Sequence, residues 1–181
     1  FTNLKGEATF IDIGAYIGDS AVYANSFSKV KNIIAVEPVP DNIKFLRKNL
    51  SENKIKKALV IDKAVSESKG RKSIYIYKDE TIASFIKTPE SSGRVLVSTI
   101  TLSDLIKLVK TKVILLKCDI EGGEYGLLLH TPLKALLKIN RLIKSVKLKT
   151  FKSIAKKNIF TIINTLLADK YSLSKKPIVK L

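Results

Sequence analysis

The run Phe10-Ile11-Asp12-Ile13-Gly14-Ala15-Tyr16-Ile17-Gly18-Asp19-Ser20 limits the folding options of this chain more than any other stretch. Four residues of strand character, Phe10–Ile13, lead into a turn marked by Gly14 and Gly18, and Asp19–Ser26 then continues as a helix. A strand that ends in an aspartate beside glycines can turn sharply and admit a ligand where a Cβ would block it. The helix N-terminus faces the same crevice. Dinucleotide-binding folds use related glycine turns, so the spacing of the later strand ends matters more than the turn itself.

Beyond the turn, strand and helix alternate. Ile33–Val36 is a second apolar run, closed by Glu37-Pro38-Val39-Pro40. Asp41 is the expected N-cap of a helix over about Asn42–Asn53, whose apolar stripe is Ile43, Leu46 and Leu50. Ala58–Ile61 is a third strand, and Val113–Cys118 a fourth, apolar enough to be covered on both faces. Between them, Ser73–Tyr77 and Val95–Ile100 read as a small β extension joined by a mobile loop, with a turn at Glu90–Gly93, before a short helix over Thr101–Val109. After Cys118 the pattern gives a helix to about His130, another over Pro132–Leu142 and a strand at Ser145–Phe151. An amphipathic helix over Ile154–Ala168 and a closing hairpin from Tyr171–Ser174 and Ile178–Leu181 complete the chain. The order argues for an α/β, Rossmann-like three-layer sandwich with a mostly parallel sheet.

At 181 residues the chain is expected to form one domain over its whole length; it does not begin with Met, which fits either a fragment lacking native N-terminal residues or a processed form. No apolar run approaches the roughly 18–20 residues that span a bilayer. One cysteine, Cys118, excludes an intrachain disulfide framework and fits a reducing, cytoplasmic setting. Its apolar strand surroundings suit a buried thiol better than a nucleophile. The net charge of +17 is uneven: residues 125–181 hold 13 basic residues and one acidic residue, Asp169, against 20 basic and 15 acidic before them. Such a region attracts nucleic acid, anionic lipid or an acidic substrate, and is equally compatible with a solvated lysine-studded surface.

Three groups of residues could do chemistry. Glu37, at the carboxyl end of the second strand, can accept hydrogen bonds from both hydroxyls of a ribose, or can be a loop carboxylate pairing a lysine. Asp62-Lys63-Ala64, after the third strand, could border an adenine edge or be ordinary turn chemistry. Asp119, Glu121 and Glu124 come after the fourth strand. Asp119 could hold an ammonium or accept a proton, and the two glutamates could supply a base or half of an oxygen-only metal site. No metal site is assigned, and the lone His130 suits a helix C-terminus.

Asp12-Ile13-Gly14-Ala15-Tyr16-Ile17-Gly18-Asp19, Glu37-Pro38, Ile100-Thr101-Leu102-Ser103-Asp104-Leu105 and Lys117-Cys118-Asp119-Ile120-Glu121-Gly122-Gly123-Glu124 together resemble the FkbM family of methyltransferases. The resemblance implies a class I S-adenosylmethionine-dependent fold: seven strands, the last antiparallel, with helices on both faces. It implies O-methylation of a hydroxyl on a sugar or other small molecule. Carried over, Asp12 and the turn Gly14, Ala15, Tyr16 and Gly18, with Ser20 behind it, would face the methionine part of the cofactor. Glu37 and Pro38 would meet the ribose, Asp62, Lys63 and Ala64 the adenine, and Asp119 the ammonium and the transferred methyl, with Glu121 and Glu124 as further catalytic candidates. Tyr16 stands where the family usually has Asn, and the expected fifth strand, Ser145–Phe151, offers lysines where the family often has acidic residues or histidine. A nucleic-acid methyltransferase using the basic C-terminal third, and a cofactor-binding protein without turnover, are the competing expectations.

Overall fold

In the computed structural model, residues 4–77, 83–87, 89, 91–120 and 124–144 are described, 124, 125 and 141–144 by their backbone alone. The elements run β1 (Ala8–Ile13), α1 (Asp19–Asn25), β2 (Val30–Val36), α2 (Pro40–Glu52), β3 (Ala58–Ile61), β4 (Ala64–Val65), β5 (Gly70–Tyr77), β6 (Ala83–Ser84), β7 (Ser91–Ile100), α3 (Leu102–Lys107), β8 (Val113–Cys118), α4 (Glu124–Leu129), α5 (Leu133–Leu136) and β9 (Arg141–Lys144).

Five strands form the main sheet in the order β3-β2-β1-β8-β9, and every neighbouring pair is parallel. Side chains alternate across it, as the pleat requires. Phe10, Ile33, Ala35 and Leu115 pack on one face with Ala21 and Ala24 of α1 and Leu46 and Leu50 of α2. Ile11, Ile13, Ile34, Val36, Ile114 and Leu116 pack on the other, with Leu102, Leu105 and Ile106 of α3 and Leu127 of α4. Two apolar faces on one sheet make three layers. The chain runs outward from β1 through β2 to β3, then returns to the other side of β1 with β8. The gap between β1 and β8 is therefore the topological switch point, where open α/β sheets leave a crevice beyond their strand ends.

A second sheet, ordered β4-β7-β5-β6, is built from the stretch between β3 and α3. β5 and β7 pair antiparallel along nearly their whole length, and their apolar side rests on Val39 and Ala64 through Ile74 and Val97.

Several expectations need correction. The main sheet has five strands among the described residues, not seven, and the region expected to supply the antiparallel last strand lies outside them. The N-cap of α2 is Val39, with Pro40 in the first turn, because a proline with its fixed φ and no N–H suits that position; Asp41 lies one residue further in and pairs with Lys44. Ser91–Gly93 extend β7 rather than turning, since β5 offers them a pairing edge, while Glu90 lies outside the described residues. The connection between the two long strands holds a further short strand, β6, on the free edge of β5. The helix expected over Pro132–Leu142 stops at Leu136, and β9 takes up Arg141–Lys144 against β8. The strand expected at Ser145–Phe151, and every element predicted beyond it, lies outside the described residues.

Candidate functional site

Gly14 closes the end of β1. Its φ is +75°, and a Cβ built there would come within 2.0 Å of the Asp119 carbonyl oxygen. Only glycine lets the loop after β8 approach this closely. Gly14 and Ala15 both donate backbone N–H bonds to the Val36 carbonyl at 3.0 Å, and Asp119 N donates to the Ile13 carbonyl at 3.0 Å. The ends of β1, β2 and β8 are thus tied together. Gly18 (φ +90°) starts α1, and a Cβ there would meet Leu46 of α2 at 2.5 Å. Asn49 of α2 anchors the turn from below, donating to the Ile17 carbonyl at 2.8 Å. Tyr16, between the glycines, is held at φ +51°, a region that costs an ordinary side chain about 1–2 kcal/mol.

Glu37 is fixed by three donors. Its Oε2 accepts from Tyr16 N at 2.9 Å, and its Oε1 from Val39 N at 3.0 Å and the Asn42 side-chain amide at 3.2 Å. It is buried, and burial raises its pKa above the ordinary carboxylate value against the pull of these hydrogen bonds and the charge of Lys117. A carboxylate has about four acceptor positions, so one remains, on Oε2.

Asp12 is fully buried, and β-sheet register sets it opposite Lys117. Lys117 Nζ donates to Asp12 Oδ1 at 3.0 Å and lies 3.5 Å from the Gly14 carbonyl. Among the described residues, Asp12 Oδ2 has no hydrogen-bond partner. Burial pushes the Asp12 carboxyl up to about 6 even though Lys117 favours its charged form, and the negative charges of Asp19 and Asp119 add to the rise.

A cavity of ≈ 290 Å³ opens beyond these strand ends, lined by Gly14, Tyr16, Glu37, Pro38, Lys63, Ala64 and Asp119 among the residues singled out from sequence. Gly14, Glu37 and Asp119 therefore share one space. The other wall is apolar and comes from Val36, Val65 and, across the second sheet, Ile74, Ala83 and Phe85. Asp12, Ala15, Gly18, Ser20 and Asp62 are not part of the lining: Asp12, Ala15 and Gly18 are buried behind it, Ser20 is half-buried in α1, and Asp62 is exposed. Glu121 lies outside the described residues, and Glu124 is described only by its backbone in α4. Cys118 is buried. His130 Nδ1 lies 2.8 Å from the Gly126 carbonyl, which can only accept, so the ring serves the end of α4.

Sequence reasoning missed Lys117, Asn42 and the second-sheet wall. Lys117 left a signal, a lysine in an otherwise apolar strand and in pleat phase with Asp12. Phe85 left none, because its place depends on how the second sheet folds over.

A doubly wound sheet with its ligand-sized cavity at the switch point defines the class: a Rossmann-like α/β protein whose binding site is built from strand ends. Residues 12–168 match the Methyltransferase FkbM domain, and the chain belongs to that family. Its fold is similar to that of the methyltransferase FkbM from Methylobacillus flagellatus KT, with a TM-score of 0.54 at 20% identity, covering 77% of this chain and 32% of that one. A precorrin-6y C5,15-methyltransferase from Geobacter metallireducens GS-15 aligns with a TM-score of 0.47 at 15% identity, over 83% of this chain and 60% of that one. The chain thus spans about a third of the first structure's length. No curated protein matches the sequence.

Proposed function

We propose that this methyltransferase-family chain uses S-adenosylmethionine to methylate a hydroxyl of a sugar or other small molecule. The observation that supports the reading is the convergence of Gly14, Glu37 and Asp119 on one cavity at the switch point. The lining suits that cofactor: a glycine turn and two carboxylates on one side, and an apolar wall for a flat base on the other. Its ≈ 290 Å³ lies just below the roughly 300–1,000 Å³ usual for one small-molecule ligand. When bound, the cofactor would supply an already activated methyl group, which leaves the protein the tasks of placement and proton removal.

In this reading the remaining acceptor position on Glu37 Oε2 takes a ribose hydroxyl, and Pro38 flanks it. Lys63 and Ala64 border the base. The turn Gly14–Gly18, held by Asp12 and Lys117 beneath it, shapes the methionine end. Asp119 faces the ammonium and the methyl, and Asp119, Glu121 or Glu124 receives the hydroxyl proton.

Calorimetry with S-adenosylmethionine, its demethylated product and NAD tests this. The first two bind and NAD does not compete with them. Glu37→Ala costs about 1.5–3 kcal/mol, or roughly 10- to 150-fold in Kd. Glu37→Gln, whose single carbonyl oxygen can still accept from Val39 N and the Asn42 amide but which sets an NH2 against Tyr16 N, disturbs the local structure less than Ala and loses less affinity. Equal affinity for NAD, or indifference to both substitutions, refutes the assignment.

A further inference from the structure

A methyl donor that fills the first cavity leaves no room there for an acceptor, so the acceptor needs an adjoining space. One exists. A second cavity of ≈ 450 Å³ shares Val65 and Phe85 with the first and runs between the second sheet and α4, where Gly126 and Leu127 close it. The remaining lining includes Glu67, Lys72, Ser73 and Tyr75.

Its chemistry is specific. Lys72 Nζ donates to Glu67 Oε1, and Ser66 Oγ donates to Glu67 Oε2 at 2.7 Å. These bonds hold the Glu67 carboxyl down at about 2. Glu67 is therefore ionised at any working pH and serves as a fixed hydrogen-bond acceptor, not as a base that must gain a proton. Lys72 also sits 5.7 Å over the Phe85 ring, which ties the pair to the wall shared by both cavities. The two charges in the lining cancel. Each keeps unused hydrogen-bonding capacity, two donor protons on the ammonium and further lone pairs on the carboxylate, and Ser73 and Tyr75 also border the groove.

We infer that this groove is the acceptor site and that it takes a neutral, hydroxyl-rich molecule. Alternating donors and acceptors with no net charge match hydroxyls, which both donate and accept. A phosphate backbone needs unpaired cations, and the single lysine in this lining is already paired. The inference rests on the reading of the first cavity as the methyl-donor site.

The test is saturation-transfer NMR on the full chain with S-adenosylhomocysteine bound, using methyl α-glucopyranoside, sucrose and myo-inositol as probes and a short RNA as competitor. The comparison is wild type against the charge-neutral double variant Glu67→Ala/Lys72→Ala. The expected result is a signal from at least one polyol that the double variant reduces five-fold or more, with S-adenosylhomocysteine affinity by calorimetry unchanged within two-fold. No polyol signal in wild type, an undiminished signal in the double variant, or displacement of the polyol by RNA at equal concentration overturns the groove assignment. Failure of S-adenosylhomocysteine to bind wild type overturns the donor reading instead, and the calorimetry reports that separately.

Discussion

Two residues at the end of β1 set the tolerances of the site. Gly14→Ala forces a Cβ into the Asp119 carbonyl, at a backbone angle that resists it. The expected cost is about 3 kcal/mol or more, read from the urea unfolding midpoint, with loss of ligand affinity. Lys117→Met strands the Asp12 carboxylate in the interior and costs about 3–5 kcal/mol. Adding Asp12→Asn recovers most of that stability, because an amide tolerates burial better than an unpaired charge. Asp12 also gives the fold a pH signature. Folded, it holds its proton up to about 6; unfolded, it releases it near 3.8. Between those values the native state binds more protons, so stability falls as pH rises, by at most about 3 kcal/mol, and the loss is complete above the upper value. Glu37 contributes with the same sign. Urea unfolding of wild type and Asp12→Asn at roughly pH 4 and pH 7 isolates the Asp12 share: the variant shows a smaller fall, and an identical fall counts against this role. Gly14, Glu37 and Asp119 were readable because each is a residue type that a turn or strand end demands. Asp12 was read as facing a ligand because one chain position cannot reveal that its cross-strand neighbour is a lysine.

Among the elements, those with local signals were legible. β1, α1, β2, β3 and β8 fall within a few residues of expectation, since apolar runs bounded by glycine, proline or aspartate fix them. The short helix α3 was also readable, and its cap explains why. Thr101 Oγ1 accepts from Asp104 N at 3.2 Å and donates to the Asp104 carboxylate at 2.6 Å, so each satisfies the other. Lys69 and Lys107 add ion pairs, each at 3.2 Å, and Asp104 is held well below the ordinary carboxylate range. Thr101→Ala is expected to cost about 1 kcal/mol by chemical denaturation, whereas Ser103→Ala, with no such bond, changes little. What the sequence hid were elements created by a partner. β6 and β9 are four residues or fewer, and each exists because a longer strand offers it an edge. The leucine- and lysine-rich run after Pro132 satisfies a helical pattern until Asn140, whose Oδ1 accepts from Ile114 N at 2.8 Å and whose N donates to the Ile114 carbonyl at 2.9 Å, starting the strand instead.

Across the molecule, the cavity is where the two sheets meet, so a ligand there contacts strand ends of one and an apolar face of the other. Binding should therefore stabilise the whole fold. S-adenosylhomocysteine at about 100 times its Kd is expected to add about 2.7 kcal/mol to unfolding, with a thermal midpoint that climbs with ligand concentration, and Glu37→Ala at the same ligand concentration should remove about half of the gain or more. No helix among the described residues is long and apolar enough to cross a membrane. The layering of the main sheet was legible from strand–helix alternation, but the second sheet's part in the wall was not, since contacts between distant segments leave no periodicity. That second sheet is a single stretch between β3 and α3, and its first strand, β4, pairs with the end of its last long strand, β7, Ala64 with Thr99 and Val65 with Ile100. It is a cassette. On the reading proposed above, replacing it with an insertion of another shape would recast the acceptor groove and the apolar wall of the donor cavity together, while the glycine turn and carboxylates at the ends of β1, β2 and β8 stay in place.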